Sequence, residues 1–126
     1  MHAPSNPSDP RRCPRCRVGL EFCFCASLET VETGTSVDIV MHHRERLRSS
    51  NTANLALLSL PKARVHVRGG LDHGFEGASV LREGCNPLYL FPLERALPLT
   101  EDYVRDLKQR DSRPLQLILP DGSWGQ

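Results

Sequence analysis

The sequence is short of several things, and each shortage removes a class of protein. No apolar run approaches the roughly 20 residues that cross a bilayer. Met1–Arg12 carries no apolar stretch of the kind a secretory leader needs. A soluble, cytoplasmic protein with no membrane partner is the expectation. Sixteen basic residues face 15 acidic ones, and a formal net charge of +1 excludes a histone-like polycation. No G-x-G-x-x-G run and no P-loop occur, which argues against the ordinary nucleotide-binding folds. Lysine is almost missing, because 14 of the 16 basic residues are arginine. Arginine offers a planar fork of donors suited to phosphate, so a nearly neutral chain can still present a phosphate-binding face.

Cysteine is present and unevenly placed. Cys13, Cys16, Cys23 and Cys25 fall close together, and Cys85 stands apart. Without an export signal, a disulfide scaffold is not expected. Four clustered thiols suffice for a closed tetrahedral zinc site, structural rather than catalytic, with an iron–sulfur cluster or free thiols as the alternatives. Cys13-x2-Cys16 has knuckle spacing, whereas Cys23-x-Cys25 is tighter than usual. Arg11, Arg12, Arg15 and Arg17 surround the first pair.

Composition divides the chain into a disordered leader at 1–11, a four-cysteine zinc segment at 12–28 and an α/β region at 37–126. The apolar runs Val37–Met41, Val65–Val67, Leu88–Phe91 and Leu115–Leu119 read as strands. A helix is expected over Asn51–Leu60, capped by Ser49 or Ser50, turning Leu55, Ala56 and Leu58 inward and stopped by Pro61. A second is expected over Glu101–Arg110, capped by Thr100, with acidic residues first and basic ones last. Strands alternating with helices predict a parallel sheet, whose ligands sit at the carboxyl ends of its strands. His42–Arg48, Phe91–Leu93 and Asp121–Trp124 fall there. His42, His43, Arg44, Arg46 and Arg48 form either a phosphate-holding loop or a solvated one. Asn51 and Thr52 read as helix caps by spacing alone. Asp121-Gly122-Ser123-Trp124 groups a carboxylate, a hydroxyl and the single tryptophan in one turn. Because the chain stops two residues after Trp124, the α/β domain is expected to be the front part of a longer one.

Taken in order, the four cysteines, the His-His-Arg-Glu block, Asn51-Thr52, Leu90-Phe91-Pro92 and the terminal Asp-x-Ser-Trp resemble the DTW-domain family. Ser123 stands where that family has threonine, keeping the hydroxyl and losing a methyl. The resemblance implies a tRNA-uridine aminocarboxypropyltransferase using S-adenosylmethionine, with an α/β fold related to the SPOUT methyltransferases and a knot region beyond Gln126. It implies Phe91, Pro92, Leu93, Asp121, Gly122, Ser123 and Trp124 at the cofactor. Asp121 becomes the catalytic candidate, either as base for the uracil imino proton or as a ligand contact. His42, His43, Arg44, Arg46, Arg48, Asn51 and Thr52 become candidate tRNA contacts. A zinc-knuckle RNA-binding module without chemistry, or an inactive fragment of the enzyme, are the alternative readings.

Overall fold

The computed structural model describes residues 9–44, 53–69 and 77–121. Four strands form one parallel sheet: β1 (Ser36–His42), β2 (Ala63–Arg68), β3 (Asn86–Tyr89) and β4 (Leu115–Asp121), ordered β2-β1-β4-β3. Helix α1 (Ala53–Ser59) connects β1 to β2, and α2 (Glu101–Arg110) connects β3 to β4. The expected α/β class with a parallel sheet is what the chain adopts.

Alternation along the strands gives the sheet two unlike faces. On one, Ile39 and Met41 are buried with Ala53 of α1, and Val37, Val65, Leu119 and Ala56 pack around them. Both helical contacts are alanines spaced i, i+3, so the helix backbone lies close to the sheet. Leu55 was expected on this face and instead is 38% exposed. It sits about 200° around the helix from Ala53, at 100° per residue. The expected cap at Ser49 or Ser50 lies outside the described residues.

Two strands differ from their sequence-based bounds. β3 starts at Asn86 rather than Leu88 and includes Pro87, which an edge strand tolerates. β4 runs on through Pro120 to Asp121, although it is a central strand. The carbonyl of Ile118 accepts from Leu90 N at 2.9 Å, so even-numbered residues of β4 turn their backbone groups toward β3. β3 ends at Tyr89, and the donor missing at Pro120 falls past that end. α2 matches its expected bounds, and Thr100 Oγ1 accepts from Tyr103 N at 3.1 Å.

The second face is polar and is built around Asp38, which is fully buried. Its carboxylate accepts from Arg64 Nε (2.7 Å), His66 Nε2 (2.8 Å), Arg82 Nε (2.7 Å) and Gln116 Nε2 (2.8 Å). Gln116, also fully buried, donates again to the Val80 carbonyl and accepts from Arg82 N. β1→β2 and β3→β4 step in the same direction across the sheet, so right-handed crossovers put their helices on the apolar face. The β2–β3 connection crosses the opposite way, and Val80 and Arg82 lie over the polar face. Burial alone would raise the Asp38 carboxyl, but its bonds to His66, Arg82, Arg64 and Gln116 outweigh that and hold it far below the usual range.

A depressed native carboxyl binds fewer protons than the unfolded one, so its stabilisation is complete above the unfolded value near 4 and is lost as pH falls below it. Replacing Asp38 with Ala leaves two guanidinium groups facing each other without their anion. A loss of about 3–5 kcal/mol in urea unfolding is expected, with a flatter acid limb than the parent's. A loss under about 1 kcal/mol would mean that the carboxylate is not what joins these elements.

Candidate functional site

The first candidate site is the cysteine cluster. The chain from Arg11 to Leu20 folds back on itself: Cys13 N donates to the Val18 carbonyl and Leu20 N to the Arg11 carbonyl, with a bridge between Arg12 and Gly19. Arg17 closes the knuckle in the left-handed region (φ 64°) and donates its N–H to the Cys13 carbonyl at 2.8 Å. Cys23 ends one 3-10 turn (Leu20–Phe22), and Cys25 begins the next (Cys25–Ser27). That pair of turns accommodates the tight Cys23-x-Cys25 spacing and aims both thiols at the first pair.

All four Sγ atoms lie within 4.8 Å of one another, with Cys13–Cys25 at 3.7 Å and Cys16–Cys23 at 3.8 Å. A zinc tetrahedron with bonds of about 2.3 Å has sulfur–sulfur edges of about 3.8 Å, whereas a disulfide is about 2.05 Å. The donor set therefore fits zinc, with no ligand position left for substrate. The backbone N–H groups of Cys16 and Arg15 pull the Cys13 thiol down to about 6, favouring the thiolate a metal needs. Burial, and then its hydrogen bond with Cys13, push Cys25 up to about 12.

The knuckle is tied to the α/β domain. Asn54 Nδ2, in the first turn of α1, donates to the Arg15 carbonyl at 2.7 Å, and Val31 N donates to the Ser59 carbonyl at 2.8 Å. Of the expected leader, residues 1–8 lie outside the described residues, while Asp9 pairs with Arg11 at 3.1 Å.

The second candidate site is the carboxyl edge of the sheet. His42 ends β1, and its ring centroid lies 4.5 Å from that of His43. Arg44 N donates to His42 Nδ1 at 3.2 Å, and His43 N donates to the Arg68 carbonyl at 2.8 Å. Both rings press on Gly69, whose φ is 82°. A Cβ there would meet His42 Nε2 at 2.9 Å, so any other residue would strain the backbone and displace the His42 ring. His43 Nδ1 is buried without a hydrogen-bond partner. Arg44 is exposed at the loop's start. Arg46, Arg48, Asn51 and Thr52 lie outside the described residues.

Asp121 closes β4 in register with Met41 and is half-buried. It lines an apolar groove of about 440 Å³ with Val37, Ile39, Ala53, Ala56, Leu117, Leu119 and Pro120. Phe91, Pro92 and Leu93 line a different cavity, of about 480 Å³, whose wall includes Leu88 and Tyr103. Both volumes suit a small ligand. The two segments are thus neighbours along one sheet edge without sharing a cavity. Gly122, Ser123 and Trp124 lie outside the described residues. Sequence reasoning missed the Asp38 cluster, and its one signal was a carboxylate at an inward position of an apolar strand.

Among the described residues no helix is long and apolar enough to cross a membrane. Replacing Cys16 with Ser should lower the zinc content of anaerobically purified protein from about one equivalent and unfold the N-terminal segment, since such sites contribute on the order of 10 kcal/mol. Elemental analysis finding no stoichiometric metal in the parent would contradict this.

Comparison with known proteins agrees with the pattern of residues. The search of curated proteins and the search of solved structures each found no match. The model of the DTW domain, a domain associated with tRNA modification, matches residues 10–126, from the knuckle through Asp121-Gly122-Ser123-Trp124 to the last residue. With nearly its whole length matched, the chain belongs to the DTW-domain family.

Proposed function

We propose that this protein modifies tRNA by transferring the 3-amino-3-carboxypropyl group of S-adenosylmethionine to a uridine, giving 3-(3-amino-3-carboxypropyl)uridine. The observation that carries the proposal is the family match across residues 10–126, together with the position of Asp121 at the carboxyl end of a central parallel strand. The parallel sheet with its candidate residues at the carboxyl edge accords with a SPOUT-like domain.

S-adenosylmethionine supplies the transferred carbon next to its sulfonium and leaves as neutral methylthioadenosine. The uracil imino nitrogen forms the new N–C bond as the C–S bond breaks, the sulfur keeping the bonding pair. The imino proton goes to a base, and Asp121 is the carboxylate placed at the edge to receive it. The side chains that line the groove with Asp121 are mostly apolar. Phe91, Pro92 and Leu93, with Gly122, Ser123 and Trp124, hold the cofactor. His42, His43, Arg44, Arg46, Arg48, Asn51 and Thr52 hold the tRNA, and zinc in the cysteine cluster fixes the N-terminal segment.

Asp121→Asn should cut product by about 10²–10⁴-fold in nucleoside mass spectrometry of unmodified tRNA incubated with S-adenosylmethionine, with fold and tRNA affinity retained. Undiminished product would remove Asp121 from the chemistry, and no product from the parent with any tRNA would favour a binding module. Arg44→Glu should weaken tRNA binding and lower the slope of log affinity against log salt by about one unit. A slope equal to the parent's would take Arg44 off the phosphates.

A further inference from the structure

The metal-binding knuckle carries an aromatic ring that its own packing does not use. Between Cys16 and Cys23, the turn Leu20–Phe22 presents Phe22 to solvent, 69% exposed. Phenylalanine is ordinarily buried, and a small domain with a lean core has few such rings to leave in water. The ring's base is held from both sides. Phe22 N donates to the Gly19 carbonyl at 2.8 Å, Cys23 N donates to the Leu20 carbonyl at 3.3 Å, and the Cys23 thiol is part of the cluster. The ring lies beside Gly19, where a Cβ would stand 3.9 Å from Phe22 Cδ2 in open contact.

The hairpin that precedes it is rich in arginine. Gly19 is bridged to Arg12, whose Nη1 donates to the Arg17 carbonyl at 3.0 Å, so the Arg12 side chain is tied to the hairpin that leads into the ring's turn. Arg11, paired with Asp9, and Arg15 are exposed on the same short hairpin, Arg15 with its carbonyl fixed by Asn54 of α1. A solvent-facing aromatic on a backbone held at both sides, next in the chain to a hairpin with four arginines, combines a π-face with phosphate-matching forks.

We infer that Phe22 is a stacking platform for one unpaired nucleobase of the RNA substrate, with the arginines at 11, 12, 15 and 17 on the adjoining phosphates. This rests on the RNA reading above and adds to it a place and a strand type. A base within a duplex already has both faces covered, so only single-stranded or looped RNA can use the ring. Stacking accepts any base, and the platform therefore grips without selecting sequence.

The test uses the full, zinc-loaded chain with a short labelled oligouridine, an RNA duplex of matched length and unmodified tRNA, read by fluorescence anisotropy. Phe22→Ala should weaken oligouridine binding by about 5- to 150-fold, with duplex binding, zinc content and circular dichroism unchanged. Phe22→Trp should restore it. Equal oligouridine affinities for parent and Phe22→Ala would overturn the inference, as would equal losses on oligouridine and duplex. If the parent still modifies tRNA in that case, only the platform falls. A parent that neither binds nor modifies any tRNA removes the functional reading as well.

Discussion

One buried carboxylate holds the architecture together. Asp38 accepts hydrogen bonds from β2, from β4 and from the connection that crosses the sheet, so a single side chain joins the elements that local packing leaves apart. The described core is small, with Ile39, Met41 and Ala53 at its centre, and it covers one face only. The other face is held by the Asp38 cluster, with Ile118 and Val80 buried beside it. Desolvating Asp38 is costly, and the cost is offset because all four of its donors have short, well-defined geometry. Gln116 and Arg82 then reach the Val80 and Lys62 carbonyls, fixing the crossing chain over the sheet.

That arrangement sets what the carboxyl edge can present. Parallel register places His42 beside Arg68 and Met41 beside Asp121, so the ends of β1, β2 and β4 form one line. Gly69 lets the chain leave β2 close under both histidine rings. The Asn54–Arg15 bond brings the cysteine knuckle to the start of α1, the helix that follows the arginine loop. Arg15 of the knuckle is thereby anchored at that helix start.

Features with local signals were legible in the sequence. The second helix carries its cap at Thr100, acids at its start and bases at its end within one short stretch, and its bounds match. The cysteine cluster was legible because ligand spacing is itself local. The Asp38 cluster was not, because its partners lie 26 to 78 residues away and each is unremarkable where it stands. Leu55 was misplaced because Ala53 and Ala56, small enough for close packing, took the inward face. Pro87 and Pro120 fit within their strands for a reason that only sheet order supplies, since one missing donor falls on the open side of an edge strand and the other past the end of β3.

Hydrogen–deuterium exchange of the zinc-loaded chain, with and without S-adenosylmethionine, reads out the proposed cofactor site at the carboxyl edge of the sheet. Binding there slows exchange in peptides covering Leu88–Leu93 and Leu117–Asp121 and leaves the knuckle peptides unchanged. Protection confined to the knuckle, or no protection at saturating S-adenosylmethionine, would contradict it.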